Sequence, residues 1–490
     1  MKRKVLIVAA AAAVGLSAAY MGGAWWSGRA VEQTLAKQHQ WLASLPYFVI
    51  SDRSYRRGWF SSTETATLKL NPQLYRFVLE REGEPLPQFE VRYTQHVRHG
   101  PLPLLLSGNP MPYKAVVTTD FAFSPETRKF LAKLFGEQKP ISVENRISFG
   151  DDSKMSVNIP AFEYEETLAG VKVKWQGLAA RIDYDGNFDK VKLDASVPGL
   201  TGTVRDKGSF ALEGLSLKLD QVRGKSTLML GTTSASVRAL ALELLEGHPL
   251  KLRMENLGYT SRLNETGDFV DGSADMQLAK LTINGQQYGP ATLQTEAKHL
   301  HAPTLAKLGR ELTRLQQQST DREQLTEALL KLAREEGLPL LEHDPTLAVK
   351  SLHVRVPDGD IRFAGHVNLK GFKRSDLEQP ALFVKKLNAD ADFSMPRKVV
   401  ETVASWQARV MFGGADSQIA EADLDFLVNQ FVEGQLQRMA SQNLIRIDGE
   451  TLSARASLAA GRFVLNGREV PMPWDASQPE AEAPPELDDN

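Results

Sequence analysis

Leu215-Ser216-Leu217-Lys218-Leu219-Asp220 alternates apolar and polar residues with a period of two. Successive side chains of a strand point to opposite faces, so this is the writing of a half-buried β-strand. The same pattern recurs on either side, in Val171-Lys172-Val173-Lys174-Trp175, Val191-Lys192-Leu193-Asp194 and Leu252-Arg253-Met254-Glu255. One apolar face and one charged face suit an antiparallel sheet. They argue against a doubly wound parallel sheet, whose strands are apolar on both faces.

Further strand-like segments lie at 65–70, 89–93, 115–119, 347–356, 361–369, 387–393, 444–447 and 463–465, with hairpin signals at Asp185-Gly186-Asn187 and Asn284-Gly285. Helices interrupt them. Ser124-Pro125-Glu126 opens one that carries the stripe Phe130, Leu131, Leu134, Phe135 and closes at Gly136. A helical pair spans 303–336, its second member starting at a capping box of Thr320 and Glu323. Two more helices run from near Pro396 to Gly413-Gly414 and over 419–440. No repeat of fixed length is present, but a strand, a small residue and a leucine recur in Gln176-Gly177-Leu178, Glu213-Gly214-Leu215 and Glu255-Asn256-Leu257.

The start of the chain is written differently. Lys2, Arg3 and Lys4 precede an uncharged run from Val5 to Trp26. At about 1.5 Å per residue this run reaches about 33 Å, enough for a hydrocarbon core about 30 Å thick. The basic residues before it keep the short N-terminus in the cytoplasm and send the rest across, with Trp25 and Trp26 at the outer interface. A cleaved leader ending near Ser17-Ala18-Ala19 is the competing reading, and either one exports the body.

The expected fold class is therefore mainly β (α+β), an N-terminal transmembrane helix followed by an elongated, twisted antiparallel sheet curled over packed helices. The expected divisions are a cytoplasmic stub and anchor over 1–28, a membrane-proximal stalk helix over 29–46 and a β-rich region over 47–302. A helical insert over 303–341, strands with two helices over 342–474 and a disordered acidic tail over 475–490 complete the chain.

Composition removes several chemistries. Lysine and arginine (58) nearly balance aspartate and glutamate (60), which speaks against nucleic acid as a partner. The chain has no cysteine, so disulfides, thiolate metal sites and cysteine nucleophiles are excluded. His96 and His99 are three apart on a strand and point to opposite faces; His299 and His301 are two apart and share one, but no third ligand stands nearby. Gly22-Gly23 and Gly413-Gly414 lack the Gly-Lys-Ser/Thr of a phosphate loop and read as a small-residue membrane contact and a helix end. Glu163, Glu165 and Glu166 read as a charged outer strand face, and Arg56-Arg57 as an exposed turn or a headgroup contact. No catalytic, cofactor-binding or metal-binding residue is assigned.

Four passages carry a resemblance: Tyr55-Arg56-Arg57-Gly58-Trp59-Phe60-Ser61-Ser62, His99-Gly100-Pro101-Leu102-Pro103, Leu281-Thr282-Ile283-Asn284-Gly285 followed by Tyr288-Gly289-Pro290, and Phe463-Val464-Leu465-Asn466-Gly467-Arg468-Glu469-Val470-Pro471. With them the chain, from the anchor to about Pro473, resembles the YdgA-like family of proteobacterial envelope proteins of unknown function. The resemblance implies an N-terminally anchored inner-membrane protein with a periplasmic body, and it brings no catalytic residues. A more distant similarity is to AsmA and TamB-like envelope proteins, in which a β groove carries phospholipid tails. The expected function is thus a non-catalytic binding or scaffold role in the cell envelope, toward envelope proteins or a second copy. Phospholipid handling through an apolar β groove is the alternative.

Overall fold

The computed structural model describes residues 2–45, 47–71, 89–105, 108–247, 249–318, 322–412 and 421–472; the side chains of 2–16, 18, 317–318, 322–323, 405–412, 421–425 and 427–429 fall outside that description. The expected capping box at Thr320, the helix end at Gly413-Gly414 and the acidic tail beyond Asp475 therefore lie outside the described residues. The protein is mainly β, with a large antiparallel sheet and accompanying helices. It divides into two compact units, one of 1–268, 276–286 and 302–337, the other of 269–275, 287–301 and 338–490.

The first unit opens with one helix, α1 (Lys2–Ser44), unbroken through both the uncharged run and the expected stalk. Among the described residues no helix is long and apolar enough to cross a membrane. Next come β1 (Phe48–Arg57), β2 (Ser61–Leu70), β3 (Glu90–His99), β4 (Ala115–Ala122), α2 (Pro125–Phe135), β5 (Ser142–Ile147) and β6 (Ser153–Ile159). They are followed by β7 (Phe162–Glu166), β8 (Val171–Trp175), β9 (Leu178–Tyr184), β10 (Lys190–Val204), β11 (Gly208–Arg223), β12 (Met229–Leu244) and β13 (Leu250–Thr266). β14 (Phe269–Ile283) is divided between the units, and α3 (Ala302–Gln318) and α4 (Arg322–Glu336) belong to the first.

Pairing is antiparallel from β1 to β6 in chain order, then β6 to β9, β9 to β10 and on to β13. β10 is long enough to hold two strands on one edge, β9 along 191–196 and β8 along 200–204. α2 is built as its sequence dictates: Ser124 Oγ accepts the Thr127 N–H at 3.1 Å, Pro125 takes the first turn, and the Gly136 N–H closes on the Ala132 carbonyl at 3.0 Å with φ +61°. Its Phe130 and Phe135 meet Tyr164 and Phe162 of β7 edge-on.

The long strands share a fault line. Val197, Leu215, Val237 and Leu257 are paired across β10–β13, and so are Gly199, Glu213, Ala239 and Glu255, but Pro198, Gly214, Arg238 and Asn256 between them are not. Gly214 and Asn256 adopt φ of +62° and +53°. Each strand gives up one residue in the same row, so the register is identical on both sides while the apolar spacing steps from two to three. The steps are Val197 to Leu200, Leu212 to Leu215, Val237 to Leu240 and Met254 to Leu257. Gly177, at φ +97° between β8 and β9, extends the row, its neighbour Gln176 donating to Gly199 O at 2.9 Å. The recurring small residue before leucine is thus the same structural position in alternate strands, with Pro198 and Arg238 at that position in β10 and β12.

After the short β15 (Gln286–Tyr288), the second unit pairs β16 (Ala291–His301) with β17 (Thr346–Val356), then β18 (Gly359–Leu369) and β19 (Leu387–Pro396); β19 and the short β20 (Arg446–Asp448) both pair with β21 (Thr451–Ala459), which leads to β22 (Arg462–Leu465) and β23 (Arg468–Val470). One of its cores is Val432 and Leu436 of the helix Glu421–Ser441 against Leu452, backed by Val400, Ala404, Ile445 and Ile447. Asn466-Gly467, with φ +52° and +82°, forms the two-residue turn from β22 to β23. Asn466 also accepts the Arg455 N–H and donates to Asn443 O, each at 2.8 Å.

A side chain that resists the left-handed region at Gly214 must break this fault line. Its Cβ would also lie 3.0 Å from the Arg238 Cβ. Gly214→Val is expected to destabilise by about 2 kcal/mol or more, and Gly214→Asn by about half as much, as read from urea unfolding midpoints.

Candidate functional site

The buried face of α1 is Ala24, Ser27, Gly28, Val31, Thr34, Leu35, Gln38 and His39, a helical stripe of small and polar residues around two aliphatic ones. Val31 and Leu35 join Val97, Ala115, Val117 and Ile147 in one cluster, so α1 lies on the inward face of β3–β5. Further along, Trp41 stacks on Phe188 and Phe188 on Tyr184, both at 4.6 Å between ring centres, which ties the end of the helix to β9 and the turn before β10.

Polar groups set the helix in place. His99 is buried, with Nδ1 3.0 Å from Ala24 O and Nε2 3.0 Å from Ser62 Oγ. The partners assign Nδ1–H as donor to the helix carbonyl and Nε2 as acceptor from the serine hydroxyl, a neutral ring. Burial holds its pKa below the usual histidine range. Gly28 makes room for this ring, since a Cβ there would lie 2.5 Å from His99 Cε1. One turn of strand away, the fully buried Glu64 is paired with Arg53 and lies 3.4 Å from His39 Nδ1. His39 bonds Leu35 O through Nδ1 at 2.9 Å and the Tyr93 hydroxyl through Nε2. Burial raises the Tyr93 pKa, and Tyr184, bonded by Asn145 at 2.7 Å, is pushed up to about 12. Both phenols stay protonated. Lys114, 2% exposed, pairs with Asp151, whose Oδ1 also lies 2.9 Å from the Thr34 hydroxyl. These contacts hold the helix in one rotation and one axial position, although among the described residues only one oxygen of the buried Glu64 carboxylate, Oε1, is partnered.

The other surface with chemical character is the inward face of the long strands. Leu217, Tyr259 and Leu263 are 37%, 41% and 38% exposed on it, beside the half-buried Leu193 and Leu219. The opposite face is a ladder of ion pairs, Lys192 with Asp220 at 3.0 Å and Lys218 with Asp194 at 4.0 Å, over a shallow groove of about 370 Å³.

The residues singled out in the sequence scatter. His96 is exposed beside Asp120 at 3.2 Å, while His99 faces inward. His299 sits at φ +59° with its ring 3.7 Å from Phe269, and His301 stacks on His343 at 4.1 Å. Both rings meet Phe269, His301 edge-on at 6.2 Å between ring centres, so the pair shares one side as the two-residue spacing implied and packs on an aromatic ring. No group of three metal-ligating side chains is found among the described residues. Glu163 and Glu165 make cross-strand pairs with Lys174 and Lys172 at 2.7 and 2.8 Å. Arg57 reaches Glu32 of α1 at 3.5 Å. Gly23 receives Pro101, at 3.0 Å from where its Cβ would be, so one of the paired glycines seats the His99-Gly100-Pro101 turn.

What these features define is a large antiparallel β protein whose N-terminal helix is built into its sheet. The family described as bacterial protein of unknown function (DUF945) matches residues 1–473, and the chain belongs to it. Protein YdgA of Escherichia coli (strain K12) is 23% identical over 504 residues, covering 95% of this chain and 94% of its own length. No solved structure matches.

Two outcomes test the seat. Gly to Ala inside a helix ordinarily stabilises by about 0.5–1 kcal/mol, but Gly28→Ala is expected to lose about 1–3 kcal/mol because the His99 ring must shift; in a His99→Ala background the ordinary gain should return. For pH, His99 binds a proton more weakly folded than unfolded, so its contribution is complete above the unfolded histidine pKa of about 6.5 and is lost as pH falls below it. Thermal midpoints should therefore drop on acidification from neutral pH, and less steeply in His99→Asn.

Proposed function

We propose that this protein is held in the bacterial inner membrane by the first part of α1, with its body in the periplasm, and that it acts there by binding rather than by catalysis. The span rests on the sequence, on the uncharged run from Val5 to Trp26 behind Lys2, Arg3 and Lys4. The observation that supports the binding role is a set of half-exposed apolar side chains on one face of the long strands, Leu217 and Tyr259 in one row across Ala235 and Leu263 two rows along. Large apolar groups gathered on one exposed face mark surfaces that meet another apolar surface. The occupant in this reading is an envelope protein or a second copy. An acyl chain of envelope phospholipid is the second reading, favoured by the depth of the same face: the rows Leu193–Leu219 and Leu212–Leu240–Met254 continue it along the strands on both sides of the fault line.

Full-length protein purified in detergent, beside Leu217→Arg and Tyr259→Arg, separates the two. Phospholipid retained at about one per chain by mass spectrometry, and lost in both variants, would assign the face to lipid. Lipid-free wild type with a cross-linked dimer or partner that both variants lose would assign it to protein. Identical behaviour of wild type and variants in both assays would remove this face as the binding surface.

A further inference from the structure

We infer that the end of the body nearest the start of α1 is seated in the outer headgroup layer of the bilayer, as an interfacial collar around the helix, rather than held away from it on a stalk. The inference rests on the anchoring proposed above and adds a second membrane contact made by the folded β body.

The collar begins at Tyr20, inside the uncharged run. The Tyr20 ring stacks on Phe60 at 6.0 Å and its hydroxyl donates to Leu102 O at 3.4 Å. One turn on, Gly23 accommodates Pro101, and a Cβ on Gly100 would be 3.4 Å from that of Ala24. The two connecting segments are joined to each other by the His99 N–H, which donates to Phe60 O at 3.0 Å. The β1–β2 turn and the loop after β3 are thus fixed at the level of residues 20–24. Tyr20 to Trp26 spans about 9 Å of helix, and this is the outer end of the proposed span. A body carried on a stalk would first touch the helix beyond Trp26.

The chemistry at this level is interfacial. Trp25, Trp26, Trp59, Phe60, Leu105 and Met111 come from three separate segments, and each is between 44% and 65% exposed. From Gly100 to Tyr113 there is no charged residue, and Arg56 stands just before the aromatic turn, while its neighbour Arg57 is paired with Glu32 of α1. Tryptophan at the ester level, leucine and methionine just below it and arginine reaching to anionic headgroups is the distribution that a bilayer interface selects. The surface is also continuous with the span itself, which places lipid beside it.

The chain has no cysteine, so single cysteines can carry an environment-sensitive fluorophore without a background. Trp59→Cys and Leu105→Cys replace exposed side chains, Ala10→Cys reports on the span, and Leu168→Cys, in a turn and 96% exposed, reports on water. Each full-length variant is labelled and reconstituted into vesicles of phosphatidylethanolamine and phosphatidylglycerol. The vesicles contain nitroxide lipids quenching near the headgroup or deep in the acyl region, and iodide is added outside. The expected result is deep-nitroxide quenching at position 10, shallow-nitroxide quenching without iodide quenching at 59 and 105, and iodide quenching alone at 168. Iodide quenching at 59 and 105 with position 10 still deep would overturn the collar and leave the anchor standing. Shielding of 59 and 105 from both quenchers would mean that protein covers them, which also overturns it. A position 10 open to iodide would remove the anchor and the collar together.

Discussion

The first unit depends above all on one constraint: its strands turn one face inward, and over β3–β5 that face is covered by α1. Val31 and Leu35 supply the aliphatic part, at about 1.5–3 kcal/mol for each fully buried side chain. That term is non-directional and would hold a helix in several rotations. Position comes from the polar groups. His99 reaches Ala24 O, the Thr34 hydroxyl lies against Asp151, and His39 joins the Glu64–Arg53 pair through one narrow geometry. Another rotation of the helix would take the buried His99, Thr34 and His39 side chains away from these partners, at a cost of about 1–3 kcal/mol each.

The second constraint is continuity across the long strands. A pleated strand of fifteen or more residues, such as β10, β11 or β12, twists as it runs, and a break in one strand alone would shift the register of all that follow. The chain instead places the break at the same row in each strand. Glycine or asparagine takes the left-handed conformation in β11 and β13, and Pro198 and Arg238 occupy the row in the strands between. Because the steps coincide, an aliphatic side chain remains opposite an aliphatic one on both sides, as in Leu212 with Leu240 and Leu215 with Val237.

How much of this was legible follows from the kind of signal each part leaves. The period-two strands, the Ser124 cap and the turns at Asp185-Gly186-Asn187 and Asn284-Gly285 are local, and local chemistry writes them plainly; Asn284-Gly285 shows the paired positive φ that the dipeptide favours. The passages that carry the family resemblance centre on turns and connections together with the strand ends that flank them, and few residues satisfy the backbone at such turns. The fault line was visible only as a loose recurrence, because three of its positions share a small residue and the two between them, Pro198 and Arg238, do not. The seat of α1 was missed because hydrophobic periodicity does not see it: of eight buried positions only Val31, Leu35 and Ala24 are apolar side chains. A search for small residues at helical spacing, Ala24 with Gly28 and Ser27 with Thr34, would have found the close approach. The partners of His99 and Glu64 are non-local, and no single-chain pattern places Ser62 or Arg53 beside them.

The same helix separates two uses of one sheet face. From β3 to β5 the inward face is occupied by α1, and its polar contacts fix the helix so closely that the face is closed to any other ligand. The Trp41–Phe188–Tyr184 stack marks where this cover ends. Beyond it, on β11 and β13, Leu217, Tyr259 and Leu263 stand half exposed on strands as regular as those under the helix. The covered strands are written differently: their inward face carries the buried polar groups Gln95, His99 and Asn145, and β4 turns the buried Val116 to the side where β11 carries charges. Leu217, Tyr259 and Leu263 are large apolar groups that α1 leaves open, and the binding role proposed above rests on them rather than on any titratable cluster.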